Sequence, residues 1–453
     1  MKNKKAFTMV ELIAIIVILV LIVIVTLPNL LGTRERQIER EFNNFLRNLF
    51  IAAENHLTND RDLLELLNYH NRLCITIGEL REEGLISGTA TNPRDDADVE
   101  DYHFVIIRVK DDGSFEYDYI IDGSDCLPTG TLMAIPWDAT EPTDIFLTLP
   151  IRRNQIESIE TRSKIEVDIN VCLANNTCRD VSAEQNKSII AWWEPGDNPN
   201  LYKIYIGSHR NVVANENSSN LFINLTNAIH LNLTHLDTSN VNNLRSMFVG
   251  NGANSIEFGP NFDTSNVVDM INMFVNMQNL TEIITPAGVN VINWDTSKVT
   301  DMNMMFAGTR LSSIEFGPNF VTSNVTNMHA MFSNMNNLTE IITPAGVNVI
   351  NWDTKNVTSM TQMFQSTRLS SIEFGPNFVT NNVTTFNHMF AGMSNLNNTQ
   401  GLNIRHFNFS NVTDHGNMFF LTPFNARLTV SPAGNTWLNN NGFSAWNNRV
   451  IVP

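Results

Sequence analysis

The chain has 453 residues, of which 43% are hydrophobic and only 17% charged, with a formal net charge of -17. That length allows two or three domains with buried cores, and the acidity argues against nucleic acid, whose phosphates are met by Lys and Arg. The charge is uneven: after residue 252 there are 7 Lys/Arg and 11 Asp/Glu, a net of -4, and Asn, Ser and Thr carry the polarity instead.

Lys2, Lys4 and Lys5 precede Glu11 and then 22 residues without a charge, Leu12 to Thr33. About 20 apolar residues cross a bilayer as a helix, and the lysines would hold the amino terminus in the cytoplasm. A secretory signal peptide would end in a small-residue cleavage site, and none is evident near Leu27 to Thr33. Neither that reading nor a plain signal anchor accounts for Glu11, since an ionisable group there is costly. The run Lys4-Lys5-Ala6-Phe7-Thr8-Met9-Val10-Glu11-Leu12 resembles the leader of type IV pilins and type II secretion pseudopilins. The resemblance implies a leader over 1–6 and a prepilin peptidase that cuts between Ala6 and Phe7 and methylates the new amine. It also implies that Glu11 pairs with the Phe7 amine of a neighbouring pilus or pseudopilus subunit, and that Pro28 kinks the helix. The family usually has Gly before the cut, where this chain has Ala6. The resemblance implies a single-pass cell-membrane protein with its carboxy terminus outside, of a kind that can be built into a surface filament.

Beyond the apolar run, Ile38, Phe42, Phe45, Leu46, Leu49, Ala53 and Leu57 recur at helical spacing. Residues 71–126 then read as a small head. Phe104 and Ile106, the turn at Asp111-Asp112-Gly113, and Phe115, Tyr117 and Tyr119 predict a hairpin with an aromatic face against the helix. The pilin-like stem and head thus span 7–126. The acidic run Asp95, Asp96, Asp98, Glu100 and Asp101 is either a calcium loop or a solvated loop, and its spacing fits no EF-hand. Four cysteines at an exported address suggest two disulfides. Chain order favours Cys74–Cys126 and Cys172–Cys178 among three possible pairings. A zinc site is the alternative, without a Cys-x-x-Cys pair or a close His to support it. Residues 127–187, rich in proline at first, read as a linker or small β module.

From residue 231 to 420 Met-Phe pairs recur at spacings of 26, 32, 26, 32, 26 and 29, so the unit is a 58-residue double repeat. Asn279–Thr296 recurs identically as Asn337–Thr354. Each pair closes a motif such as Trp352-Asp353-Thr354-Lys355-Asn356-Val357, with Met360, Met363 and Phe364. The expected core comprises Val241, Met247 and Phe248; Val267, Met273 and Phe274; Val299, Met305 and Phe306; Val325, Met331 and Phe332; Val357, Met363 and Phe364; and Val383, Met389 and Phe390. Such units cannot bury their own apolar faces, so neighbours must stack into a solenoid. The methionines read as adaptable core rather than a cofactor site. The Asn before each Val is either a buried ladder or a set of turn residues.

The Asp-Thr-Ser-Asn-Val-x-x-Met-x-x-Met-Phe copies, such as 237–248, resemble the BspA-type leucine-rich repeats of bacterial surface proteins. The expected arrangement is an entry cap over 188–235, repeats over 236–430 and a cap over 431–453. The whole chain would be α+β, a long amino-terminal pilin-like helix with a small antiparallel sheet followed by a solenoid of short strands. The resemblance implies adhesion to host or microbial surface proteins through the repeats. A structural minor pilin with the repeats as spacer is the second reading. No catalytic signature stands out among ten scattered histidines, so neither enzyme activity nor a cofactor or metal is expected.

Overall fold

The computed structural model describes residue 34, residues 36–60, most of 63–120, 131–133, 141, 143–183, 187–208, 211–446 and 448–452. The chain divides into two compact units, Met1–Pro128 and Thr129–Pro453.

In the first unit residues 36–59 are helical. Phe42, Leu49, Ala53 and Leu57 are buried along one face, while Arg36, Glu39, Arg40, Glu41 and Arg47 are exposed. Strands β1 (Arg72–Thr76), β2 (Phe104–Val109) and β3 (Phe115–Ile120) form an antiparallel sheet in that order. Val105 lies opposite Tyr119, Ile107 opposite Tyr117 and Val109 opposite Phe115. That row closes on the helix, where Phe50 stacks on Tyr117 and Phe45 meets Tyr119 edge-on. Aromatic pairs of this kind add to the apolar burial.

This overturns the fold expected at the amino-terminal end. Among the described residues, no helix is long and apolar enough to cross a membrane. The helical residues 36–59 fail because their outer face is lined with charges, which the bilayer interior excludes. The described chain is mostly strands in five sheets. Apart from 36–59, its helical segments are short: Ile77–Glu82, Ile169–Ala174, Pro432–Asn440 and a 3-10 turn at Arg153–Gln155. A pilin-like α+β fold with a long amino-terminal helix, a transmembrane helix and a single-pass membrane location are therefore not supported. The apolar run 12–33, with Ala6, Phe7 and Glu11 ahead of it, lies outside the described residues.

The second unit starts with β4 (Ile156–Arg162), β5 (Cys178–Asp180), β6 (Ile189–Pro195), β7 (Tyr202–Ser208) and the short β8 (Val212–Val213). The repeats add β9 (His230–Leu233), β10 (Leu236–Asp237), β11 (Ser255–Phe258), β12 (Glu282–Thr285), β13 (Gly288–Val289) and β14 (Val291–Ile292). They continue with β15 (Ser313–Phe316), β16 (Glu340–Thr343), β17 (Gly346–Val347), β18 (Val349–Ile350), β19 (Ser371–Phe374) and β20 (Gly401–Asn403). The last two strands are β21 (Leu428–Val430) and β22 (Arg449–Ile451). Successive coils lay their strands parallel, with Ile256 beside Leu231 and Ile283, and Ile314 beside Ile341.

Part of the stretch 127–187, expected as a linker or small β module, joins a sheet with later strands. Its strand β4 sits between β9 and β7 in an eight-stranded sheet. The Cys172–Cys178 disulfide ties the short helix Ile169–Ala174 to β5, over Ile190 and Trp192.

The alternation of 26 and 32 residues has a plain cause. The longer spacing contains an antiparallel hairpin, β12 with β13 and again β16 with β17. Asn290 closes the first hairpin with φ 58°, accepting from the Ile283 amide and donating to the Thr281 carbonyl. Asn348 does the same with Ile341 and Thr339. Asn tolerates this left-handed backbone better than most residues. The identical eighteen-residue stretches are thus two copies of one hairpin-bearing coil.

Candidate functional site

The surface of the second unit is positioned by its interior. All the Val, Met and Phe positions expected from Val241 to Phe390 are fully buried. Phe222, Phe248, Phe274, Phe306, Phe332, Phe364, Phe390 and Phe419 stack in one column, with centroids 5.3 to 6.1 Å apart. The column begins in the region read as the entry cap and ends in the last repeat. Offset ring stacking with full burial makes each member worth several kcal/mol, on the order of 3–5 for a Phe-to-Ala loss.

Two polar ladders run beside the column. The motif Thr is buried, and its hydroxyl donates to a carbonyl of the following coil. Thr238 reaches Asp263, Thr264 reaches Asp295, Thr296 reaches Val321, Thr322 reaches Asp353, Thr354 reaches Val379 and Thr380 reaches Asn408, all within 2.9 Å. The motif Asn points the other way. Asn266, Asn324, Asn356, Asn382 and Asn411 donate to the carbonyls of Ser239, Ser297, Ser323, Lys355 and Asn381 in the preceding coil. These asparagines are exposed, so an Asn ladder exists but is not buried. Lys298, which stands in for Asn once, reaches Asn266 Oδ1 at 2.7 Å.

The Thr ladder escaped the sequence reading, although Thr fills the third motif position in six copies. The seventh copy carries Phe409 there instead, and Trp437 of the closing helix stacks on it at 4.4 Å. His415 packs edge-on against Trp437 and Phe443, in a packing role rather than a ligand position.

On the strand face every second side chain points to solvent. Ser158, His230, Ser255 and Glu282 share one row, and Glu160, Asn232, Glu257 and Ile284 the next. His230 Nδ1 lies 2.7 Å from Ser255 Oγ. These two adjacent rows are acidic along the repeats, one through Glu257, Glu315 and Glu373 and the other through Glu282 and Glu340. Arg405 approaches Glu373 at 3.5 Å, whereas the other four have no ion-pair partner among the described residues. At its start the face is closed by the disulfide-bound helix over Trp192 and Tyr205. Burial pushes the Tyr205 hydroxyl up, and Glu194 and Glu160 push it further. The two hairpins project beside this face with Val289 and Val347 each 56% exposed. Between hairpin and motif turn lies a shallow groove with Phe320, Pro344, Trp352 and Asp353 in its lining.

Several expected site residues lie elsewhere. Ala6, Phe7, Glu11 and Cys126 are outside the described residues. Cys74 is disulfide-bonded, and Cys172 is bonded to Cys178 with their Cα atoms 5.3 Å apart. Among the described residues no group of three or more His, Cys, Asp or Glu could hold a metal. Asp95 and Asp96 of the acidic run are outside the described residues.

Residues 216–344 and 344–431 match a family described as Mycoplasma protein of unknown function, DUF285. The match covers the repeats, just under half of the chain, and is consistent with the BspA-type resemblance of this region. It supports a surface repeat protein and leaves the pilin-like reading of the amino-terminal segment without support. No curated protein and no solved structure matches the chain.

Proposed function

We propose that the second unit is a protein-recognition module that serves adhesion, binding host or microbial surface proteins through its strand face. The observation that carries this reading is the pair of adjacent rows of carboxylates without ion-pair partners among the described residues, Glu257 and Glu315 beside Glu282 and Glu340, held on a repeating buried core. A one-signed stripe of this kind favours a basic partner surface, steers its approach and weakens in salt. The exposed valines of the hairpins offer apolar contacts beside the stripe. The similarity of the repeats to surface repeat proteins supports the same reading. On this reading the protein is a binder rather than an enzyme, and it needs no cofactor.

The test is binding of the full chain to immobilised host matrix proteins and to partner microbial cells. The variant Glu257→Gln, Glu282→Gln, Glu315→Gln, Glu340→Gln should bind at least tenfold more weakly while melting at the same temperature. Binding that neither this variant nor raised salt affects would sink the proposal.

A further inference from the structure

The two ends of the stack of coils are not equivalent. At six of the seven coil junctions four alternate backbone amides donate to four alternate carbonyls of the next coil, and at the junction of Asn272, Phe274 and Asn276 three do. Leu244, Ser246, Phe248 and Gly250 donate to Asp269, Ile271, Met273 and Val275. Phe386, His388, Phe390 and Gly392 donate in turn to Asp414, Gly416, Met418 and Phe420. Every coil therefore presents acceptors backward and donors forward.

At the first coil two of the four backward acceptors are closed from within the chain. Arg153, fully buried, donates from Nη1 to the carbonyls of Leu221 and Ile223. Phe146 lies against Phe222 there. At the last coil the corresponding forward donors are the amides of His415, Asn417, Phe419 and Leu421. None of them has an acceptor among the described residues. The closing segment covers only the core behind them, where Phe443 and Trp446 meet the ring of Phe419. The Trp446 indole N–H goes to Ala426 instead.

The side chains change at this same place. The position ahead of Leu421 in the earlier coils is Gly250, Asn276, Gly308, Asn334, Ser366 and Gly392, all with positive φ. Leu421 keeps that backbone, with φ 57°, although the left-handed region is unfavourable for a Leu side chain. It is 72% exposed, and its neighbours Phe420 and Phe424 are 55% and 48% exposed. A strained, exposed leucine beside two exposed phenylalanines, next to four open donors, is the profile of an edge meant to be covered.

We infer that the last coil is a docking edge for an extended, uncharged polypeptide segment of a partner protein, which supplies alternate carbonyls to the amides of 415, 417, 419 and 421 and apolar side chains to Phe420, Leu421 and Phe424. A second copy of this chain is the wrong occupant. Two such edges would set donor against donor, and Arg153 already covers half of the complementary acceptor edge. Strand addition of this kind draws its affinity from main-chain bonds and its selectivity from the flanking apolar contacts. The site is separate from the strand face and does not depend on the function proposed for it.

The test uses the full chain and a labelled synthetic peptide of residues 383–393, whose carbonyls carry the register of a following coil. Hydrogen exchange in the free chain should be at least a hundredfold faster at 415, 417, 419 and 421 than at 386, 388, 390 and 392. The peptide should bind saturably and slow the first four amides at least tenfold. Leu421→Asn, which suits the positive φ, should keep the melting temperature and weaken binding at least fivefold; Phe420→Asp should do so tenfold. Protection of those amides in the free chain, absence of saturable binding, binding indifferent to Leu421→Asn, or a concentration-dependent dimer that buries this edge would each overturn the inference.

Discussion

The inside and the outside of the repeats obey the same period and contribute very differently. The Phe column and the Thr ladder are buried, and the Asn ladder runs parallel to them in water. The Phe recurs at every coil, the Thr in six of the seven motif copies and the Asn in all copies but one, and all three join neighbouring coils. What separates them is the solvent: a lost contact in the interior leaves a cavity or an unmet polar group, whereas a lost surface hydrogen bond is replaced by water. Regularity in a sequence therefore does not measure energetic weight.

The largest effect should come from the column. Phe306→Ala removes a fully buried ring stacked on both neighbours. It should cost about 3–5 kcal/mol in denaturant unfolding, followed by tryptophan fluorescence. A loss under about 1 kcal/mol would mean that the coils collapse onto the gap. Next comes the first coil, where Arg153→Met strips the cover from two carbonyls. Burial has already pulled the Arg153 guanidinium down to about 10, against the pull of Asp144. Relief of that burden partly offsets the lost bonds, so the net loss should be about 2 kcal/mol. Hydrogen exchange should place it in the first coils, since repeat units couple mainly to their neighbours.

The two ladders give the sharpest contrast. Thr296 both donates to the Val321 carbonyl and accepts from the Val321 amide, each at 2.7 Å. Thr296→Val should therefore lose about 1–3 kcal/mol. Asn324→Ala removes an exposed donor to Ser297 and should lose roughly 0.5 kcal/mol or less. Equal losses at the two sites would break the comparison between interior and exterior.

Acid should produce the smallest change. Burial lowers the pKa of His329 against the pull of Asp301, and burial with Arg405 lowers that of His406. Both groups bind protons more readily when unfolded, so stability is full above about 6.5 and declines as pH falls below it. Below the ordinary carboxylate range, protonation of Asp295 and Asp414 should lower it further, since their hydrogen bonds to Ser297 and to Asn387 hold those carboxyls low. Melting temperatures from pH 7.5 to 5 should fall in the parent chain and fall less in His329→Gln. A melting temperature that rises on acidification would reverse the sign assigned here.

Much of the repeat architecture could be read from residue order. A 58-residue period with Val, Met and Phe at fixed places leaves one way to bury them, because each coil meets a copy of itself. The amino-terminal segment taught the opposite lesson. A leader-like motif and an apolar run are local patterns, and the described helical residues beside them carry charges along an exposed face. Their arrangement supports no membrane-crossing helix among the described residues.

By itself the sequence determined the period, the core positions and the need to stack, since apolar spacing is a property of the chain alone. Only the tertiary structure decided which polar residue is buried, because Thr and Asn differ in exposure and not in spacing. It alone showed Arg153 covering two carbonyls at one end, as its partners lie about seventy residues further along the chain. It alone showed amides at the other end without an acceptor among the described residues, because an unmet amide becomes visible only once the surrounding acceptors have places.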